Sequence, residues 1–224
     1  MKKIAMILGL LLLVGLAAVS AIVQVEAPVQ LDGKWALVMD LVTGASVQRL
    51  TSLGAMPPSV ATEIVQGHKI PAIVDPNGPG GQRITLCESG AILKYLGEKA
   101  NNGLYPSDPI QRLKVDQWLF YGSATFTTLA QQYGFFWLRN PEVVPAAKKH
   151  YEAVLHDMLG TLDTHLATND YVAGAYSVAD ISMYPDVHLH GVNDIGLGDY
   201  PNVKRWHDAI AARPAVQKAW GPHE

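Results

Sequence analysis

The chain has 224 residues, which is enough for one large domain or two small ones with a sizeable hydrophobic core. Its formal net charge is −3 and no basic block occurs in the body of the chain, so the composition gives no reason to expect nucleic-acid binding. The single cysteine, Cys87, excludes an internal disulfide and any paired-cysteine redox or zinc motif.

Residues 1–27 differ in composition from the rest and resemble a secretory signal peptide. Lys2 and Lys3 form a positive start, residues 4–19 are apolar, and small residues suited to cleavage end at Ala21 and Ala27. If the segment is retained, residues 4–23 approach the ~20 residues that a membrane helix needs. A buried strand followed by a helix is the third interpretation, because short apolar runs do not distinguish these structures.

Residues 28–66 carry weaker signals. Residues 34–42 are compatible with a strand and residues 60–66 with a short helix. Pro57 and Pro58 mark a break between them.

Residues 70–96 show the clearest local pattern. Residues 70–74 are apolar and partly β-branched, which favours a strand. Residues 75–81 are rich in turn-forming residues and predict a hairpin connection. Residues 84–87 alternate in polarity like a half-buried strand, and an apolar helical run begins at Ser89. The sequence therefore predicts a strand, a hairpin turn, a second strand and a helix.

After this unit the chain reads as helical. The helix from Ser89 is predicted to stop at residues 101–103, with Gly103 in the left-handed position. Residues 101–108 form a proline-containing linker, and Asp108 with Pro109 predicts the cap and first residue of the next helix.

Three further helices are expected. One begins at residues 140–141 and carries an apolar stripe from Tyr151 to Leu166. Another begins with a capping box from Ser177 to Asp180, and Pro185 is expected to kink or end it. The last is amphipathic and stops at residues 213–214.

Several motifs resemble those of the cytosolic glutathione transferases, in particular the bacterial and fungal branch. They are Lys69-Ile70-Pro71-Ala72, Glu88-Ser89-Gly90-Ala91-Ile92, Leu104-Tyr105-Pro106, residues 171–181 and residues 200–206. The resemblance spans residues 67–220. It implies an α/β thioredoxin-like domain at 28–100 with an atypical or incomplete first β-α-β unit. An all-α helical bundle domain would follow at 109–224.

The resemblance also implies a glutathione site. Pro71 would be cis, so that the backbone of Ile70 pairs with the cysteinyl part of glutathione. Ser89 and its helix N-terminus would bind the γ-glutamyl carboxylate, and the Glu88 carboxylate would accept hydrogen bonds from the ammonium group. The alternative for Glu88 and Ser89 is a plain helix cap. Lys69 aligns with a position that contacts the peptide, and its alternative is an exposed lysine.

The residue that activates the glutathione thiol is not recognisable in the sequence. Thr43 and Ser46 are weak candidates, because they are the hydroxyls nearest to the expected loop, and an ordinary turn is the alternative. Cys87 is expected to be a buried small side chain and not a nucleophile. His188 and His190 lie two positions apart, which does not suit a shared helix face, so no metal site is predicted.

The function that this resemblance implies is a glutathione transferase. It would conjugate glutathione to a hydrophobic electrophile or use it for reduction, with aromatic residues between 121 and 137 dividing between the core and the wall of an electrophile pocket. A member that binds glutathione or a partner protein without catalysis is the alternative. A homodimer is expected by resemblance. The family resemblance implies a cytoplasmic protein, whereas residues 1–27 imply export.

Overall fold

Two short hairpins come before the first helix in the computed structural model, which describes residues 30–31, 34–35, 72–75, 77–140, 142–191 and 194–220. In the first hairpin, β1 (Gln30–Leu31) pairs antiparallel with β2 (Lys34–Trp35). The signal-like segment and most of residues 28–66 lie outside the described residues. The domain bounds given above therefore stay predictions.

The second hairpin confirms the pattern expected at residues 70–87. Strand β3 (Ala72–Asp75) pairs antiparallel with β4 (Ile84–Cys87), and Ala72 lies opposite Cys87. The connection contains a 3₁₀ turn at Pro79–Gly81, where Gly80 has a φ of 66° that glycine adopts without a Cβ clash.

Seven α-helices follow the second hairpin in the described part of the chain. They are α1 (Ser89–Ala100), α2 (Pro109–Phe120), α3 (Thr127–Gly134), α4 (Pro145–Leu166), α5 (Val178–His188), α6 (Pro201–Ala211) and α7 (Pro214–Trp220). Wider π-helical turns at Tyr121–Phe126 and Phe135–Arg139 prolong α2 and α3. Within the described residues, no helix is both long and apolar enough to span a membrane.

The helix caps confirm some predictions and correct others. The Asp108 carboxylate accepts a hydrogen bond from the N–H of Gln111 at 2.8 Å, as expected for the cap of α2. Helix α1 ends at Ala100, in agreement with the predicted stop at residues 101–103, and Gly103 has the predicted positive φ of 85°. The cap residue itself is Asn101, which is also left-handed. Asparagine also tolerates this conformation because its short side chain hydrogen-bonds locally, so the cap comes earlier.

Three other features of the helices can be compared with the expectation. Helix α4 begins at Pro145, later than the predicted residues 140–141. Pro185 lies inside α5, which continues to His188, so the proline does not end the helix. The expected stop at residues 213–214 is instead a short break, after which α7 begins at Pro214.

Helix α5 lies at the centre of the helical part. Its residues Val178, Ala179, Ile181, Met183 and Val187 are all at most 2% exposed. The predicted capping box is present, because the Asp180 carboxylate accepts from the N–H of Ser177 at 2.9 Å. The same carboxylate accepts from the indole N–H of Trp206 at 2.9 Å and so ties α5 to α6.

Candidate functional site

The junction between β4 and α1 holds the two described residues of the predicted glutathione site. Glu88 has φ 69° and ψ 117°, a conformation that is strained for a residue with a side chain. This turn lets a strand pass directly into a helix, with Ser89 as the first residue of α1. The N–H of Ile92 bonds to the Glu88 carbonyl at 2.9 Å and closes the first helical turn.

The Glu88 side chain is not a cap of α1. Glu88 is exposed, and in the described part of the chain its carboxylate makes no capping hydrogen bond to α1. Ser89 is half-buried beside it. The junction therefore brings together an exposed carboxylate, a hydroxyl and a helix N-terminus, whose dipole favours a negative group.

A residue of the helical part lies directly against this junction. A Cβ built on Gly90 would lie 3.3 Å from Oγ of Ser123, in the π-helical turn that follows α2. The Ser123 hydroxyl donates to the carbonyl of Leu119 at 2.8 Å, which holds it in place. The sequence analysis did not predict a role for Ser123. A π-helical turn, which frequently marks a functional site, leaves no clear sequence pattern.

A carboxylate clamp fixes the second hairpin on α1. Asp75, at the end of β3, is 4% exposed and accepts hydrogen bonds from Tyr95, from Lys99 and from the N–H of Asn77. Burial alone would raise the pKa of Asp75, but these hydrogen bonds and the Lys99 charge bring it below its ordinary value. The clamp was not predicted, although Tyr95 and Lys99 stand at helical i, i+4 spacing.

A second contact joins α1 to α2. The Lys94 ammonium lies 3.1 Å from the Asp116 carboxylate, which also accepts from the Tyr105 hydroxyl at 3.1 Å. Together with the clamp at Asp75, this network orients α1, and therefore its N-terminal junction, between the hairpin and the helical part.

The helix wall beyond Ser123 divides its aromatic residues between the core and partly exposed positions, with Phe136 and Trp137 half-buried. Phe126 and Tyr133 are each 1% exposed and belong to the core. The exposed side chains of this stretch are mostly polar, namely Thr125, Thr128, Gln131 and Gln132. Phe135 is 39% exposed at the far end.

A small cleft lies deeper in the helical part, behind α3. Its cavity volume is about 10 Å³, which is room for about one water molecule, and it is lined by apolar side chains together with Asp186 and His190. The Thr127 hydroxyl donates to the Asp186 carboxylate at 2.5 Å. Burial raises the pKa of Asp186 to about 6, and the hydrogen bond from Thr127 only partly opposes that rise.

Cys87 and His188 agree only in part with what the sequence predicted for them. Cys87 is half-buried, and burial raises the pKa of its thiol, with a further rise from the Glu88 charge, so it stays a thiol. His188 contacts His207 of α6, a partner that the sequence did not suggest. Among the described residues, no three histidine, cysteine or acidic side chains are grouped so as to hold a metal ion.

The remaining predicted site residues lie outside the described residues. They are Lys69, Ile70 and Pro71 of the glutathione site and the weak catalytic candidates Thr43 and Ser46. Their roles stay predictions.

Comparisons with known proteins match the helical part and most of the fold. The family "Glutathione S-transferase, C-terminal domain" matches residues 126–214. The disulfide-bond oxidoreductase YfcG of Escherichia coli K12 is 36% identical over 159 residues, 70% of this chain and 73% of the relative. The disulfide-bond oxidoreductase YghU of the same strain is 34% identical over 166 residues, 70% of this chain and 56% of the relative.

Solved structures extend this similarity to the first domain. A glutathione transferase from Burkholderia graminis, with two glutathione molecules bound per subunit, aligns with a TM-score of 0.77 and 29% identity over 95% of this chain and 85% of that one. One from Pseudomonas putida, with one glutathione disulfide per subunit, aligns with a TM-score of 0.73 and 30% identity over 92% and 85%. These neighbours support the predicted order of a thioredoxin-like domain followed by a helical domain. The chain belongs to the glutathione transferase family.

Proposed function

We propose that the chain binds glutathione at the Glu88–Ser89 junction and uses its thiol to reduce disulfides. The observation that carries this proposal is the junction itself. An exposed carboxylate, set by a positive φ, stands beside a hydroxyl at a helix N-terminus that Glu88 does not cap. This arrangement suits the zwitterionic γ-glutamyl end of glutathione.

The binding roles follow from charge. The γ-glutamyl carboxylate accepts a hydrogen bond from the Ser89 hydroxyl and is attracted by the partial positive charge of the α1 N-terminus. The neighbouring ammonium group pairs with Glu88. Ile70, Pro71 and Lys69 are proposed to hold the cysteinyl part and the rest of the peptide. Thr43 and Ser46 remain the candidates for activating the thiol.

Reduction is favoured over conjugation by the polar wall beyond Ser123. Thr125, Thr128, Gln131 and Gln132 suit a polar second substrate better than a hydrophobic electrophile. The names of YfcG and YghU, and the glutathione disulfide in the Pseudomonas putida structure, agree with this choice.

The proposed reaction consumes two glutathione molecules. The first thiolate attacks a disulfide, forms a mixed disulfide with one sulfur and releases the other as a thiolate. A second glutathione thiolate then attacks the mixed disulfide, which releases the second substrate thiolate and forms glutathione disulfide. The substrate gains two electrons, and the two glutathione molecules lose them.

Conjugation to a hydrophobic electrophile is the second candidate, because Phe135 is exposed at the end of the same wall.

One pair of measurements separates the candidate functions. Glutathione affinity is measured by calorimetry, and turnover is compared between a small dialkyl disulfide and a reactive aryl halide. Turnover of the disulfide alone supports the proposal, and turnover of the halide alone supports conjugation. Binding without turnover supports a non-catalytic glutathione-binding protein. A folded chain that does not bind glutathione contradicts both catalytic functions and leaves only the binding of a partner protein.

A substitution tests the site itself. Ser89→Ala is expected to weaken glutathione binding roughly 5- to 100-fold, because it removes a hydrogen bond to a charged group. Ser107→Ala, in the exposed linker, is the matched control and is expected to bind like the wild type. Equal affinity in both variants would place the ligand elsewhere.

We also propose that two copies of the chain associate through α2. Ile110, Leu113 and Phe120 are 61%, 66% and 59% exposed, which is unusual for three large apolar side chains on one helix.

Export is a separate proposal that concerns residues 1–27. The intact mass of the purified protein, expressed with its full N-terminus, gives the first residue of the mature chain. A mass that corresponds to a start after Ala21 or Ala27 supports export, and a start at residue 1 or 2 contradicts cleavage.

A further inference from the structure

Two histidine rings join the end of α5 to α6. Nδ1 of His188 lies 3.0 Å from Nε2 of His207, and the rings are stacked with centroids 5.2 Å apart. The Tyr184 hydroxyl lies 2.8 Å from the same Nδ1 of His188. On the other side, Nδ1 of His207 lies 3.0 Å from the Asp208 carboxylate. The four groups therefore form one continuous chain of contacts.

The chain of contacts fixes where hydrogens lie at neutral pH. An ionised carboxylate only accepts hydrogen bonds, so Nδ1 of His207 must carry a hydrogen that it donates to Asp208. In a neutral His207, Nε2 is then the acceptor. His188 must therefore carry its hydrogen on Nδ1 and donate it to His207, with the Tyr184 oxygen near enough to share it.

One added proton can be accommodated. His207 then carries hydrogens on both nitrogens and donates to Asp208 and to His188. His188 moves its own hydrogen to Nε2 and accepts at Nδ1, where the Tyr184 hydroxyl can also donate. Asp208 balances the new charge, and Lys204, at 2.5 Å, holds Asp208 from the exposed side.

A second added proton cannot be accommodated. Both facing nitrogens would then carry hydrogens at 3.0 Å, and two positive rings would lie stacked on each other. Burial, and then the neighbouring rings of His207 and His190, lower the pKa of His188 to about 4. The His190 ring lies 5.7 Å from that of His207 and, when protonated, adds to the repulsion.

We propose that His188 and His207 form a proton-limited latch between α5 and α6. The latch stays closed while the two rings share at most one added proton, and it opens when both rings are protonated. Opening releases the last turn of α5 and the segment after it from α6. The groups that act on the latch are Tyr184 of α5, His190 of the following 3₁₀ turn, and Asp208 and Lys204 of α6.

The uniformly ¹⁵N-labelled wild-type chain tests the latch by NMR, from about pH 7.5 to about pH 4, because both histidine rings and backbone amides are then observed. The expected result is that His188 gains its second ring hydrogen at a distinctly lower pH than the exposed His150. The backbone amide signals of Tyr184 and of residues 186–191 should change in the same step. Titration of His188 together with His150, or double protonation without a change in those amides, would overturn the proposal.

A pair of variants gives an independent test. Gln cannot be protonated but can still donate to Nε2 of His207, so His188→Gln should keep the contact and lose the sensitivity to acid. The fall in melting temperature between about pH 7 and about pH 4.5 should be several degrees smaller than in His150→Gln, the matched exposed control. Equal falls in the two variants contradict the latch. If His188→Gln does not fold, the NMR titration of the wild type decides.

Discussion

Gly90 and Ser123 are packed so closely that a Cβ on the glycine would lie 3.3 Å from the serine Oγ and 3.7 Å from its Cβ. Gly90 follows Ser89 at the start of α1, and Ser123 belongs to the helical part. This contact sets how closely the helical part approaches the proposed glutathione site. It also decides whether replacing Gly90 by alanine stabilises or destabilises the folded chain.

Gly90→Ala is expected to give no stabilisation in the wild-type background. Alanine favours a helix over glycine by up to ~1 kcal/mol, but the tight contact with Ser123 opposes that gain. In a Ser123→Ala background the Oγ is absent, and Gly90→Ala should then stabilise the chain by about 0.5–1 kcal/mol. The free energy of unfolding in urea measures both effects.

Gly160→Ala is the matched control for this pair. Gly160 lies inside α4, and no atom of the described residues, apart from its chain neighbours and its own helix backbone, lies within 4 Å of a Cβ built on it. Its substitution should stabilise the chain equally with and without Ser123. Additive effects of Gly90→Ala and Ser123→Ala would show that the two residues do not meet.

Asp75→Asn tests the clamp between the hairpin and α1. The loss of a buried, charged hydrogen-bond acceptor should cost about 1–3 kcal/mol at neutral pH. Asp170→Asn is the control, because Asp170 is 88% exposed in its pair with Arg205 and such a pair contributes little. Equal losses in the two variants would contradict the clamp.

The clamp also predicts how stability responds to acid. The pKa of Asp75 is lower in the folded than in the unfolded chain, so its contribution is present above the unfolded value of 3.8. It is lost as the pH falls through the folded value. Asp75→Asn should therefore lose less stability than the wild type below about pH 4, as measured by thermal melting.

Much of the local structure follows from the sequence, because it depends on near neighbours. Turn residues at 75–81 fix the hairpin, and the apolar spacing from Leu155 to Leu166 fixes the buried face of α4. At the site, Glu88 and Ser89 are placed at the strand–helix junction by the same local signals.

Contacts between distant segments could not be predicted in this way. Asp75 meets Tyr95 and Lys99, and Gly90 meets Ser123, only once the hairpin and helices are packed. The π-helical turn at Tyr121–Phe126 interrupts the ideal helical spacing. The sequence spacing therefore did not show which aromatic residues between 121 and 137 enter the core. Phe126 and Tyr133 do so, whereas Phe136 and Trp137 are half-buried.

Asp186→Asn should remove a pH dependence of stability that is opposite in sign to that of Asp75. The folded chain holds the pKa of Asp186 at about 6, above its ordinary value of 3.8, so the unfolded chain releases this proton first. Wild-type stability should therefore fall as the pH rises between these two values. The variant, which mimics the protonated acid, should lack this fall and be about 1–2 kcal/mol more stable at pH 7.

Asp157→Asn provides the control for Asp186, since Asp157 is exposed on α4. The free energy of unfolding is measured at several pH values from 4 to 7.5. If both variants follow the wild-type profile, the carboxyl of Asp186 titrates normally and the cleft does not desolvate it.

Phe120→Glu should separate the proposed dimer into monomers. The ring of Phe120 is 59% exposed on α2 beside Leu113 and Ile110, and a carboxylate on that face would have to be buried without a partner on association. Light scattering after size-exclusion chromatography gives the mass of wild type and variant at the same concentration.

Phe135→Glu is the matched control, because Phe135 is also exposed but belongs to the π-helical turn after α3. A dimeric Phe135→Glu with a monomeric Phe120→Glu places the interface on α2. A wild type that is already monomeric at micromolar concentration, or a Phe120→Glu variant that stays dimeric, rules out an interface on this helix.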